Sequence, residues 1–264
     1  MFVSTTAIVL RVSPFSRTSH IVTWLAADGR QIVTVIKGAT RPKSLFLGQY
    51  DFCYTCELVF YEHESEGGAH YAKECFPANT RANLRVNWRA AQCAGWFAHL
   101  AREVSAHSPP TPELYDLLAE TLDFISASET VPPSPVVFAR FESKLLDLCG
   151  LRPNFSPCPD CAAPAQELTF PFNLAAGSRH CHTHSKRRPN DPVINITPGL
   201  VALFDECVRS SSLGSRSTFP YKKNPDTPAL LRFLGLFMRL HLDTALTSGR
   251  AIALAAMDST HIEA

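Results

Sequence analysis

Two cysteine-containing turns near the middle of the chain constrain its folding more than any other feature. Cys158-Pro-Asp-Cys161 is followed, after nineteen residues, by Cys181-His182-Thr183-His184. Two ligand pairs, each enclosing two residues and separated by a loop of about 15 to 20, is the spacing by which two tight turns close a tetrahedral cage of thiolate and imidazole around zinc. Such a closed cage staples a fold and leaves no open position for chemistry. Cys158, Cys161 and Cys181 are the firm ligands. The fourth is assigned to His184, with His182 and His180 near enough in sequence to compete. The intervening stretch is rich in Ala, Pro, Phe and Gly and reads as a small ribbon, against the plainer alternative of a loop with free thiols.

A zinc site raises the question of catalysis, and Pro157-Cys158-Pro-Asp-Cys161 matches half of the nucleobase deaminase signature. That chemistry also needs an upstream His-x-Glu, in which His completes the metal shell and Glu shuttles the proton. From Ser108 to Cys158 there is no histidine, and His261-Ile-Glu263 lies on the wrong side. Ser-His-Asp constellations, paired-carboxylate motifs and phosphate-binding glycine loops are equally absent from the sequence, so no catalytic residues are assigned and a binding protein is expected.

The 264 residues suffice for two cores, and 45% hydrophobic with 19% charged residues is ordinary for a globular protein. No apolar run reaches the 18 or so residues that span a bilayer, and the opening residues lack the pattern of a secretory signal. Nine cysteines at irregular spacing fit a reducing compartment, so a cytoplasmic location without membrane contact is expected. The net charge is only +1, but its distribution is uneven. Residues 1–50 carry Arg11, Arg17, Arg30, Lys37, Arg41 and Lys43 against Asp28 alone, whereas residues 51–80 carry six acids against Lys73. A basic region that meets phosphates releases counterions, the usual origin of salt-sensitive nucleic-acid binding.

Short apolar runs at Thr5 to Val12, His20 to Leu25, Arg30 to Lys37, Asp51 to Tyr61 and His70 to Phe76, with turn signals such as Asp28-Gly29 between them, predict five strands. Five strands in about 75 residues suggest a barrel of the OB type, whose face and loops commonly bind single strands. Lys37-Gly-Ala-Thr-Arg41-Pro-Lys43 then forms a basic loop after the third strand. A second Cys-x-x-Cys, Cys53 and Cys56, falls within the expected fourth strand, where alternation points the two thiols apart; they are read as core residues.

After Pro77 the periodicity becomes helical. Asn83 to Val104 places Leu84, Trp88, Ala91, Trp96 and Leu100 on one face and Arg81, Arg85 and Arg89 on another, a stripe that is either a phosphate contact or a solvated face. Further helices are expected to open at Thr111-Pro112, Ser134-Pro135 and Thr227-Pro228, and a shorter one to run from Thr197 to Arg209. The helix begun at Ser134 stops at Cys149-Gly150 before Pro153. Ser210 to Pro225 reads as a polar loop and everything from Ser248 onward as a frayed tail. The expected fold is therefore α+β: a five-stranded OB-type β-barrel over residues 1–78, then an α-helical domain over 79–264 with a zinc-binding insertion at about 154–188.

This order of parts resembles the bacterial RecO family of DNA-repair proteins. The resemblance rests on Val9-Leu10-Arg11 in the opening strand, on the Lys37 to Lys43 loop, and above all on Phe141-Glu-Ser-Lys-Leu-Leu-Asp-Leu-Cys-Gly150-Leu-Arg-Pro153 leading into the first zinc knuckle. It implies an OB domain, a helical body and one structural Zn2+, with no covalent chemistry. It also implies binding of single- and double-stranded DNA, annealing of complementary strands, contact with the acidic C-terminal tail of the single-strand binding protein SSB, and action with RecR that lets RecA load. Lys37, Arg41, Lys43 and Arg11, with Arg81, Arg85 and Arg89, are the expected nucleic-acid contacts, and Lys186-Arg187-Arg188 is a further basic run. The competing reading is a zinc-stapled OB-fold scaffold that grips a protein instead of DNA, because the barrel hosts many functions.

Overall fold

A computed structural model describes residues 1–63, 68–127, 129, 133–161, 168–185, 191–210, 213, 224–242 and 247–257. The chain forms two compact units, Met1–Pro132 and Pro133–Ala264. The change from strand to helix falls near residue 79, as expected, whereas the division between units falls after the first two helices.

In the first unit β1 (Phe2–Ser16), β2 (Ser19–Ala26), β3 (Gln31–Ile36), β4 (Thr55–Tyr61) and β5 (His70–Asn79) close a barrel in the order β1-β2-β3-β5-β4. All pairings are antiparallel except β3 with β5. Closure depends on the length of β1. Its first half pairs with β4 and its second with β2, and the register shift between Val9 and Arg11 gives the bend that lets one strand serve both neighbours. Alternate residues fill the interior, including Ala7, Val9, Val22, Trp24, Ile32, Ile36, Leu58 and Phe60. The indole N–H of the fully buried Trp24 donates to Thr34 Oγ1 at 2.9 Å, so this large ring is buried without an unpaired donor. At the Asp28-Gly29 turn Gly29 has φ +84°, and an added Cβ would lie 2.3 Å from the Thr111 backbone. Only glycine fits there.

The fourth strand begins later than its apolar run suggests. Cys53 adopts φ 63° and its N–H donates to the Val9 carbonyl at 3.0 Å, so Asp51 to Tyr54 form a turn; the strand starts at Thr55 and its alternation at Cys56. Both thiols are nonetheless buried, as expected. Cys56 and Cys75 donate to the Gln49 carbonyl, and burial pushes the Cys53 thiol up to about 12. A 3-10 turn, Ala82–Arg85, then precedes α1 (Trp88–His107), whose first turn is capped by Asn87 accepting from the Ala90 N–H at 3.1 Å. The expected continuous helix from Asn83 is thus broken at its start. Helix α2 (Pro112–Ser126) completes the unit.

The second unit is built from α3 (Pro135–Leu148), a sheet of β6 (Phe170–Asn173), β7 (Ser178–Arg179) and β8 (Val193–Ile196) in the order β7-β6-β8, the short α4 (His182–Ser185), and α5 (Pro198–Arg209), α6 (Thr227–His241) and α7 (Thr247–Met257). Gly150, at φ +69°, stops α3 where expected, and the Leu151 N–H returns to the Leu146 carbonyl at 2.8 Å. Phe155, Phe172, Phe204 and Phe233 meet edge-to-face and tilted at 5.2 to 5.8 Å, seating the ribbon on α5 and α6.

Two expectations are corrected here. At α6 the cap position belongs to Asp226, and Thr227 is already helical. The tail from Ser248 is α7 as far as Met257, with Ala253, Ala256 and Met257 buried; residues 258–264, with His261 and Glu263, lie outside the described residues. Helix α7 is held by Arg250, which forms a two-pronged ion pair with Glu142 of α3 at 2.8 Å per bond and donates to the Leu231 carbonyl of α6 at 2.7 Å. The polar loop from Ser210 to Pro225 falls mostly outside the described residues. Among the described residues no helix is long and apolar enough to cross a membrane.

Candidate metal centre and nucleic-acid surface

The ribbon brings Cys158, Cys161, Cys181 and His184 together, with all four ligand atoms within 4.8 Å of one another. Each knuckle has a local cause. The Cys161 N–H turns back to the Cys158 carbonyl at 3.4 Å, and Cys181 stands just before α4, so that His184, three residues on, returns to the same side. Cys161 Sγ and Cys181 Sγ are 3.7 Å apart, and His184 Nδ1 is 3.6 Å from Cys158 Sγ and 3.2 Å from Cys181 Sγ. Around a tetrahedral zinc with ordinary bond lengths the corresponding edges are about 3.8 Å for two sulfurs and about 3.6 Å for sulfur and nitrogen. The set fits that ion. Burial raises the Cys158 thiol, but hydrogen bonds from the Cys181 and Asp160 backbones and the His184 and Cys161 side chains outweigh it and bring the pKa down to about 6. The thiolate, the ligating form, is thus favoured near neutrality.

Geometry also separates the three histidines that the sequence left in competition. His180 is buried, with Nδ1 3.3 Å from Asp160 Oδ2 and Nε2 3.2 Å from Ser178 Oγ, so both ring nitrogens already have partners. It joins Cys158 and Asp160 in a second group of ligand-type atoms beside the first. His182 is exposed, and it is His184 that faces the sulfurs. The ribbon opens at Asn154, bridged to Ser178, but its sheet extends past the expected limit of 188 to Ile196 of β8. Lys186, Arg187 and Arg188 lie outside the described residues.

On the barrel, Lys37, Arg41 and Lys43 are exposed in the loop after β3, and Arg11 is exposed on β1. Among the described residues none of these four is ion-paired, and the Lys37 ammonium lies 4.2 Å from the centre of the Tyr71 ring. The arginine stripe does not exist as a helical face, because its first two members precede α1. Arg81 sits at φ 44° with 4% of its surface exposed. Its Nε pairs with Asp123 at 2.6 Å, and its Nη1 donates to the Cys53 carbonyl at 2.6 Å and to Thr55 Oγ1 at 3.0 Å. Arg81 therefore closes the start of β4 instead of facing solvent. Arg85 pairs with Asp51 at 2.9 Å and lies over the Tyr54 ring, while Arg89, half-buried, lies over Trp88.

One feature escaped sequence reasoning. In the second unit a cavity of about 630 Å³ is lined by Val136, Thr227, Leu231, Leu254 and Met257, with Arg232 and Arg250 among its cationic residues. It depends on α7, which the sequence read as a tail, and no local motif announces it.

The model of the recombination protein O C-terminal region matches residues 85–250, well over half of the chain. The chain belongs to the RecO family. Similar proteins include the DNA repair protein RecO of Anaeromyxobacter dehalogenans strain 2CP-C, 28% identical over 181 residues that cover 68% of this chain and 69% of that one. Another is the DNA repair protein RecO of Bacillus cereus strain B4264, 24% identical over 209 residues, 77% of this chain and 79% of its relative. That of Rhodopirellula baltica is 28% identical over 184 residues, 66% of this chain and 64% of the other.

Proposed function

We propose that this chain is a DNA-repair and recombination mediator without covalent chemistry of its own, acting in the bacterial cytoplasm. It binds single- and double-stranded DNA, anneals complementary strands and, with RecR, helps RecA load on strands coated by SSB. The observation that carries the reading is membership of the RecO family, whose named relatives are DNA repair proteins. The barrel supplies the physical means: unpaired cations at Lys37, Arg41, Lys43 and Arg11 lower the repulsion between two phosphate backbones without reading base edges. The four-ligand centre holds one structural zinc, which fixes the ribbon on the second unit. The cavity between α3, α6 and α7, apolar inside and carrying the exposed Arg232, is the kind of Arg-rimmed groove on the helical body that would take the acidic tail of SSB. The test is annealing of two complementary strands, bare and SSB-coated, at two salt concentrations. Salt-sensitive acceleration on both is expected; no acceleration on either overturns the mediator reading.

A further inference from the structure

The loop from Lys37 to Gln49 carries more than charge. It is folded as successive turns, with hydrogen bonds from Arg41 N to Gly38 O, Ser44 N to Arg41 O, Leu47 N to Ser44 O and Gln49 N to Phe46 O at 2.9 to 3.3 Å. Phe46 packs on the barrel core and anchors the loop. Its neighbours Leu45 and Leu47 are left 87% and 49% exposed. The β1–β2 turn lies against the same loop, because Thr40 N donates to Thr18 O at 3.3 Å and Gly38 N to Ser19 Oγ at 3.4 Å. That turn adds Phe15, 59% exposed, and Arg17. Three apolar side chains thus stand in water at one end of the barrel among Arg17, Lys37, Arg41 and Lys43. No acid belongs to either segment, and among the described residues none of the four cations is ion-paired. Asp28, the one acid of the first fifty residues, sits in the β2–β3 turn at the far end of β2, since His20 of β2 pairs with Ile36 of β3. Of the other described acids of the barrel, Asp51 lies in the turn just before β4 and is paired with Arg85 at 2.9 Å, while Glu57, Glu62 and Glu74 belong to the β4–β5 side, which meets this end at Lys37.

A loop serving only as a phosphate contact gains nothing from exposed leucines, and scattered surface apolar residues do not usually gather on one cationic end. Unpaired bases have what this end lacks: flat apolar faces joined by a polyanion. Aromatic side chains such as Phe15 stack on such bases, and neighbouring leucines offer further apolar surface to the same faces. We propose that Phe15, Leu45 and Leu47 form an apolar contact for the bases of single-stranded DNA, with Arg17, Arg41 and Lys43 holding the adjoining phosphates. The contact gives the barrel a preference for unpaired strands, because in a duplex the base faces are stacked away. It rests on the DNA-binding reading and deepens it by naming the form of DNA this end takes.

The test compares the full chain with Phe15→Ser/Leu45→Ser in binding a 20-nucleotide oligothymidylate, a blunt 20-base-pair duplex, and vesicles of phosphatidylglycerol and phosphatidylcholine. Because both side chains are exposed, the variant is expected to melt with the parent. Loss of two base contacts predicts oligothymidylate binding about tenfold weaker or more, with an unchanged salt slope and duplex affinity within about twofold of the parent. Equal oligothymidylate affinity in parent and variant overturns the proposal while leaving DNA binding intact, as does equal weakening on oligothymidylate and duplex. A loss confined to the anionic vesicles overturns it in favour of a lipid surface. A parent that binds neither form of DNA overturns both this contact and the function on which it rests.

Discussion

Removing Arg250 tests how the second unit is assembled. Glu142 has no exposed surface, and Arg250 meets both of its carboxylate oxygens at 2.8 Å while a further bond at 2.7 Å reaches Leu231 O. Three helices thus converge on one guanidinium. In Arg250→Leu the aliphatic part of the side chain is largely retained, so the principal loss is electrostatic: a buried carboxylate loses its cation and α7 loses its tie. Breaking a buried pair from one side costs about 3 to 5 kcal/mol, mostly the penalty on the charge left behind. With a urea dependence of about 2 kcal/mol per molar, the unfolding midpoint moves down by about 2 M. Urea unfolding followed by circular dichroism reads that shift directly. The double change Glu142→Leu/Arg250→Leu removes the buried carboxylate as well and is expected to recover much of the loss. A single variant within about 1 kcal/mol of the parent, or a double variant no better than the single, would refute the argument that this pair holds α7.

If the centre holds zinc as proposed, atomic emission is expected to find about one equivalent in the parent and none in Cys158→Ser, which also melts lower, whereas Cys53→Ser, in the core of the other unit, keeps the parent's metal content. Lys37→Ala/Arg41→Ala should weaken single-strand binding and reduce the slope of log affinity against log salt by about 1.4, with zinc content unchanged; an unchanged slope moves the phosphate contacts off this loop. Arg81→Met is expected to destabilise the first unit by about 2 to 4 kcal/mol in thermal unfolding, chiefly because the buried Cys53 carbonyl and Thr55 hydroxyl lose their donor, while the half-exposed Asp123 loses its cation but keeps Asn79. A variant that melts like the parent and loses DNA affinity would return Arg81 to the surface where the sequence placed it.

What could be read from the chain alone was whatever short-range chemistry enforces. The knuckles at Cys158 and Cys181 were legible because a tetrahedral ion dictates ligand type and spacing within a few residues. The strands were legible from alternation, as in the buried Cys56, Leu58 and Phe60 flanking the exposed Glu57, and α3 from its Ser134-Pro135 start and Gly150 stop. Where sequence reasoning went astray, the deciding partner lay far along the chain. Arg81, Arg85 and Arg89 recur at helical spacing, yet Asp123, 42 residues from Arg81, and the carbonyl of Cys53 draw Arg81 into the interior before α1 begins. Helix α7 resembles a tail because small residues and Gly249 give it little local drive, and its tie, Glu142, comes 108 residues earlier.

The same division holds at the sites. Sequence determined which three thiols gather with a histidine, the cationic loop and the kind of fold that carries them, since each follows from residue types at fixed short separations. Tertiary structure decided that His184 faces the sulfurs while His180 is occupied by Asp160 and Ser178, that Arg81 is internal, and that Phe15 joins Leu45 and Leu47 at one end of the barrel. These outcomes turn on competition between partners brought together by packing, and that competition does not exist until the chain has closed on itself.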